Sequence, residues 1–244
     1  MRPNAVAIQQ DYYRKTAHRY DQMHVQNPSE HDLALAFMRS IIPLLGINSV
    51  LDVGAGTGRA VLGVRSAFPN LRVIGIEPSR QLRSIGYQKG LSSEELIDGD
   101  GQRIRFGDNS FDLVCEYGAL HHMSEPRRAV LEMLRVASKA VFISDSNNFG
   151  QGRAVVRLSK QIINSCRLWK VANAIKTAGR GYMITDCDGL AYSYSVFNEY
   201  DLIRQHCRSV HILNTGPASI NPYRSAGHVA ILGIIDSGGI PAIL

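Results

Sequence analysis

Apolar positions along the chain recur with two different periods, and the switch between them marks out its elements. Between residues 4 and 24, Tyr12, Tyr13, Ala17, Tyr20 and Met23 return at three- and four-residue spacings, which predicts a helix with one aromatic face. A second helix is predicted from Ser29 to Leu45, capped by Ser29, striped by Leu33, Phe37, Ile41 and Leu45, and frayed at Pro43. Short strands are then read at Val50–Val53, Leu71–Ile76, Glu95–Asp98, Phe111–Cys115 and Ala140–Asp145, most of them continuous apolar runs. Helical stretches at 57–67, after Pro78 and Ser79, and at 125–136 separate them. Strand–helix alternation of this kind predicts an α/β fold with a doubly wound parallel sheet, whose ligands bind beyond the carboxyl ends of the strands.

After Asp145 the alternation pauses for about fifty residues, too long for a plain connection. Residues 152–178 read as one basic helix with an apolar face. Residues 181–195, where tyrosines alternate with hydroxyl side chains, read as a hairpin. A helix at 197–207 and strands at Val210–Leu213 and His228–Ile235 complete the sheet, and the tail from Asp236 is expected to be loose. The chain is therefore read as one domain. Its parts are an N-terminal helical cover (1–46), a cofactor-binding half (47–145), a lid or acceptor insertion (146–195) and the completion of the sheet (196–236).

Composition narrows the setting. A chain of 244 residues can bury a substantial core, and no apolar run is long enough to cross a bilayer. Residues 1–4 lead into polar sequence without a signal-peptide core, so the expected location is the cytosol, as a monomer or homodimer. Cys115, Cys166, Cys187 and Cys207 are scattered without a C-x-x-C pair, which argues for reduced thiols. The net charge of +6 is concentrated: Arg153, Arg157, Lys160, Arg167, Lys170, Lys176 and Arg180 fall between 151 and 180 with no acid among them. Such a face can guide an anionic acceptor, touch an anionic membrane leaflet or hold RNA, and charge runs also occur simply as solvated faces.

The chemistry gathers at the strand ends. The first run ends in Asp52 and the turn Gly54-Ala55-Gly56-Thr57-Gly58, where the backbone can bend tightly against a ligand. The spacing is G-x-G-x-G, not the G-x-G-x-x-G of nicotinamide dinucleotide sites. About twenty residues later the second run ends in Glu77, where a parallel neighbour places an acid beside a ribose.

The order VLDVGAGTGR, VIGIEPS, GDGQRIRFGDNSFDLV, Ala-Leu-His-His-Met and RAVLEMLRV, from Val50 to Asp145, resembles the class I S-adenosylmethionine-dependent methyltransferases, in the small-domain group called type 11. The resemblance implies a Rossmann-like seven-stranded sheet, mostly parallel with the last strand antiparallel, and S-adenosylmethionine as cofactor. It also implies roles. Gly54, Ala55 and Gly56 lie along the methionine part with Asp52 supporting its amino group, and Glu77 accepts from both ribose hydroxyls. Pro78 and Ser79 flank the adenine, while Asp100 and the backbone of Gly101 or Gln102 bond to it. Glu116 and Tyr117 approach the sulfonium end, and Tyr12 and Tyr20 close the site from the N-terminal helix.

His121 and His122 follow the fourth strand, where an imidazole can take the proton of an attacking hydroxyl; His121 is the favoured base and Asp145 its orienting acid. Asp145 with Asn147, Asn148 and Glu116 also forms a set of hard oxygen ligands, but without a specific spacing, so no metal is expected. Tyr182, Tyr192 and Tyr194 are the candidates for stacking on an acceptor. The expected activity is methylation of a hydroxyl on a small molecule, a sugar or secondary metabolite. An RNA methyltransferase and a non-catalytic cofactor-binding partner protein are the alternatives, neither supported by a recognisable nucleic-acid module or separate binding domain.

Overall fold

The computed structural model describes residues 5–25, 29–186, 188–216 and 221–235, so the predicted tail and Cys187 lie outside the described residues. The N-terminal cover is α1 (Ala5–Thr16), a 3₁₀ turn at Ala17–Arg19, and a short α2 (Tyr20–His24), a broken version of the single helix expected. Helix α3 (Glu30–Leu44) starts where the sequence predicts. Ser29 accepts from the Asp32 N–H and Asp32 returns a carboxylate oxygen to the Ser29 N–H at 2.8 Å, closing a reciprocal cap. Its buried face is Ala34, Leu35, Met38, Ile41 and Ile42; Leu33, expected in the stripe, is 49% exposed.

Strands β1 (Ser49–Val53), β2 (Arg72–Ile76), β3 (Leu96–Ile97), β4 (Phe111–Tyr117) and β5 (Ala137–Ser146) are parallel. They are linked by α4 (Arg59–Ala67), α5 (Arg80–Gln88) and α6 (Pro126–Val136). The insertion holds α7 (Ala154–Ser165), α8 (Trp169–Lys176) and the hairpin β6 (Tyr182–Thr185) with β7 (Gly189–Tyr192). The single long helix read from the sequence is thus two: Arg167, in the left-handed region at φ 61°, turns the chain between them. After a 3₁₀ turn at Val196–Glu199 come α9 (Tyr200–His206), β8 (Ser209–Asn214) and β9 (His228–Ile234). The sheet order is β3-β2-β1-β4-β5-β9-β8, with β9 antiparallel to both neighbours, as expected.

The central strands are buried on both faces. One face packs under α3 and α4 through Met38, Val50, Val61 and Phe142, the other under α6 and α9 through Leu51, Val114, Met133 and Ile203. Such continuous burial explains why these strands read as unbroken apolar runs. The order reverses between β1 and β4, so a crevice opens beyond their carboxyl ends.

Candidate active site

Two joined cavities, of about 710 and 540 Å³, occupy that crevice and share Tyr13, Tyr20, Gly54, Tyr117, Gly118, His122 and Tyr192 as common walls. The larger is lined by Glu77, Pro78, Ser79, Asp100, Gly101 and Gln102, all expected there, together with Leu82, Asp98, Gly99 and Met123. Gly54, at φ +73°, ends β1 so close to the next turn that a Cβ on it would lie 2.3 Å from the Ala119 Cβ. Glu77 is buried; its Oε2 accepts the Gly56 N–H at 3.0 Å and its Oε1 the Ser79 N–H at 2.8 Å. Burial nevertheless pushes its carboxyl up to about 7, and burial likewise carries Asp52 up to about 7. Asp100 Oδ1 accepts the Gln102 N–H at 2.8 Å, so of the two backbone donors proposed for an adenine, that of Gln102 is already engaged.

The smaller cavity is lined by Asp52, Ala55, Arg59, His31, His121, Asp188 and His228 among others. Asp145, at the end of β5, is fully buried with Oδ1 2.7 Å from His121 Nδ1, and its Oδ2 accepts the His121 backbone N–H at 3.2 Å. His122 Nδ1 donates to the Leu190 carbonyl at 2.6 Å. Both Nε2 atoms face Asp188 in the hairpin turn, at 3.3 Å from His121 and 3.4 Å from His122. Burial opposes a proton on His121, but the Asp145 and Asp188 carboxylates outweigh it and raise the imidazole well above its usual range. Asp145 and Asp188 are held low in turn, since their pairing with the imidazoles outweighs burial. Opposite them, burial and the neighbouring His228 hold His31 down at about 2, so it is neutral.

Several expected positions fall elsewhere. Tyr12 lines neither cavity; its hydroxyl donates to the Asp186 carbonyl at 3.2 Å and ties α1 to the hairpin, while Tyr13 takes the cavity wall. Glu116 lines neither: its Oε1 accepts the N–H groups of Ala119 and Leu120, and burial with the charge of Asp145 raises it well above the carboxylate range. Tyr194 is buried in the core. Tyr182 packs edge-on against Tyr192 at 6.0 Å, and only Tyr192 of the three reaches the cavities. His31, Arg59, Asp188 and His228 escaped the sequence reading.

The oxygen-ligand set is not assembled either. Asn147 Nδ2 donates to the carbonyls of Pro222, Tyr223 and Ala226 at 2.8–3.0 Å, and its Oδ1 accepts from Ser195. Among the described residues two triads bring metal-type ligand atoms within 4.8 Å: Glu30, His31 and His228, and His121, His122 and Asp188. The second is closed by its own ion pairs, and in the first the His31 and His228 rings meet edge to face at 4.7 Å.

Residues 51–143 match the family described as a methyltransferase domain. Over that stretch the chain resembles the class I S-adenosylmethionine-dependent methyltransferases. The chain is 30% identical over 104 residues to an uncharacterized methyltransferase of Schizosaccharomyces pombe, covering 38% of this chain and 37% of that one. It is 37% identical over 87 residues to the demethylmenaquinone methyltransferase of Renibacterium salmoninarum, covering 36% and 35%. The chain thus spans about a third of the length of the curated relatives it matches. In fold it is similar to magnesium protoporphyrin IX methyltransferase from Synechocystis with bound SAH, at a TM-score of 0.59 and 14% identity over 95% of this chain and all of that one (100%).

The lining of the larger cavity fits S-adenosylmethionine, the cofactor of that family. Each Glu77 oxygen spends one acceptor site on a backbone N–H and keeps another for a ribose hydroxyl. Pro78, Leu82 and Met123 give apolar walls to an adenine. A Cβ on Gly101 would lie 2.7 Å from Val53 and 2.9 Å from Met123, so the backbone there leaves room for no side chain.

Proposed function

We propose that the protein methylates a hydroxyl of a small-molecule acceptor, a sugar or secondary metabolite, with His121 as the base. S-adenosylmethionine, held by Glu77, Pro78, Ser79, Asp100 and the Gly54–Gly56 turn, supplies the electrophilic methyl group. The reading rests chiefly on one observation: His121 is anchored through Nδ1 to the buried Asp145, 2.7 Å away, which leaves Nε2 as the reacting nitrogen on the side of the smaller cavity. In that arrangement Asp145 holds the tautomer and stabilises the imidazolium formed when the hydroxyl proton arrives.

In the acceptor-free protein Asp188 occupies the Nε2 position. An acceptor hydroxyl takes its place, and His121, relieved of one of its two carboxylates, sheds its resting proton and becomes able to receive the new one. Tyr192 offers a ring to stack against the acceptor. A small acceptor agrees with the name of the demethylmenaquinone relative.

The test has two parts. Incubation with labelled cofactor and fractionated extract of the source cells identifies the metabolite that gains the methyl group. His121→Ala is then expected to lower turnover on it by about 10²–10⁴-fold while cofactor affinity stays the same. Unchanged turnover with cofactor binding intact removes His121 from the reaction.

A further inference from the structure

Helices α7 and α8 wear their apolar side chains on the outside. On α7 the polar residues face the domain: Lys160 Nζ donates to the carbonyls of Asn148 and Gln151 at 2.7 and 3.1 Å, and Gln161 Nε2 to those of Phe149 and Arg224, both at 3.0 Å. Val155, Leu158 and Ile162, spaced along one stripe, face away, and Val155 is 76% exposed. On α8, Trp169 packs on Phe149 and donates to Ser193, whereas Val171 and Ile175, one turn apart, face solvent, Ile175 at 77%. Of the fourteen large exposed hydrophobics among the described residues, nine lie between 155 and 184. A helix pair stabilised only by water would show the opposite orientation, so this face has an apolar partner.

Charge identifies the partner. Arg153, Arg167, Lys170, Lys176 and Arg180 are all exposed, and residues 151–180 contain no acid. An apolar stripe rimmed by exposed cations matches acyl chains beneath anionic headgroups. We propose that the α7–α8 face docks the protein on an anionic lipid bilayer, with the stripe among the acyl chains and the cations on the phosphates. Among the described residues no helix is long and apolar enough to cross a membrane, so the association is peripheral and reversible. The hairpin of the same insertion exposes Met183 and Ile184 and supplies Asp188 and Tyr192 to the smaller cavity.

Co-sedimentation of the full chain with vesicles tests the proposal without reference to methyl transfer. Vesicles of phosphatidylcholine with a minor fraction of phosphatidylglycerol should bind it at least tenfold more tightly than phosphatidylcholine alone, and high salt should weaken that preference. Lys170→Gln with Lys176→Gln should cost roughly 25-fold, about fivefold per cation. Ile162→Gln with Ile175→Gln should cost at least tenfold on the same vesicles. Unchanged melting temperatures certify the fold of each variant, and Val155→Gln with Val171→Gln replaces any pair that fails that check. Absence of binding, equal binding to both vesicle types, or indifference to either pair overturns the proposal. So does a wild-type dimer in light scattering that the isoleucine pair converts to monomer without any vesicle binding, which would assign the face to a second copy of the chain.

Discussion

Glu77→Gln separates what the cofactor cavity requires from what the folded chain tolerates. Burial carries the Glu77 carboxyl up to about 7 against the pull of the Ser79 and Gly56 N–H groups. The folded chain therefore keeps this proton over a range in which the unfolded chain has lost it. The stabilisation is full below the unfolded value and disappears as pH rises through about 7. A rise from 4.5 to about 7 corresponds to about 3 kcal/mol. Glutamine does not titrate, but its amide nitrogen opposes one of the two backbone donors, at a pH-independent cost of about 1–3 kcal/mol. The two effects part company in a pH series. Melting of variant and wild type from pH 4.5 to 8.5 should show the difference between them moving in favour of the variant by about 3 kcal/mol, roughly 6 °C for a chain of this length. S-adenosylmethionine should raise the melting temperature of the wild type and leave the variant unmoved. A stability difference that stays flat across the range would mean that Glu77 is a carboxylate throughout and that the desolvation argument fails.

Two other substitutions probe the scaffold. Gly54→Ala, at φ +73° with its new Cβ 2.3 Å from that of Ala119, should destabilise by about 1–3 kcal/mol in urea unfolding and weaken cofactor binding at least tenfold in calorimetry. Asn147→Asp removes the amide donor that the buried Asn147 shares among three carbonyls and leaves a carboxylate against them, so it should cost about 3 kcal/mol or more in the same unfolding assay.

The larger cavity was legible because most of its lining is local in sequence. Gly54 and Ala55, Glu77 to Ser79 and Asp98 to Gln102 line the cavities just beyond β1, β2 and β3, and strand ends are marked by the end of an apolar run. The smaller cavity is assembled from distant pieces: His31 from the first turn of α3, Asp188 from the hairpin and His228 from the start of β9. Taken singly, each reads as a solvated or packed side chain, and only the sheet order brings them together. Other errors have local causes. One position along a helix is about 100° of rotation, enough to exchange Tyr12 for Tyr13. Glu116 stands at a strand end as a ligand would, but the N–H groups of the 3₁₀ turn at Leu120–His122 capture it. The break between α7 and α8 sits at Arg167 with neither Gly nor Pro to announce it.

The electrostatics of the smaller cavity give the sharpest test of the proposed base. His121 Nδ1–H donates to Asp145 and His122 Nδ1–H to a carbonyl, so both Nε2 atoms turn toward one Asp188 carboxylate. With its Nδ1–H given to Asp145, a neutral His121 ring would set its Nε2 lone pair against the Asp188 carboxylate; a proton on that Nε2 removes the repulsion, in keeping with its raised pKa. That proton also disables it as a base, so Asp188 should hold back the reaction at neutral pH. Unit charges about 4 Å apart interact by about 4 kcal/mol at an effective dielectric of about 20. The Asp188 side chain is 38% exposed, and solvent screening leaves about 1–2 kcal/mol, roughly one pH unit. Asp188→Asn should therefore lower the His121 midpoint by about one unit, read by nitrogen NMR of labelled histidine, and shift the acid limb of kcat/KM by the same amount. The sign for stability runs the other way. The ion pair stabilises the folded chain below the ordinary histidine range and is lost as pH rises through the raised value, so the variant should be less stable at low pH and indistinguishable at high pH. A midpoint that stays in place, or rises, would show that Asp188 does not set the protonation of His121, and the displacement step built on it would fall.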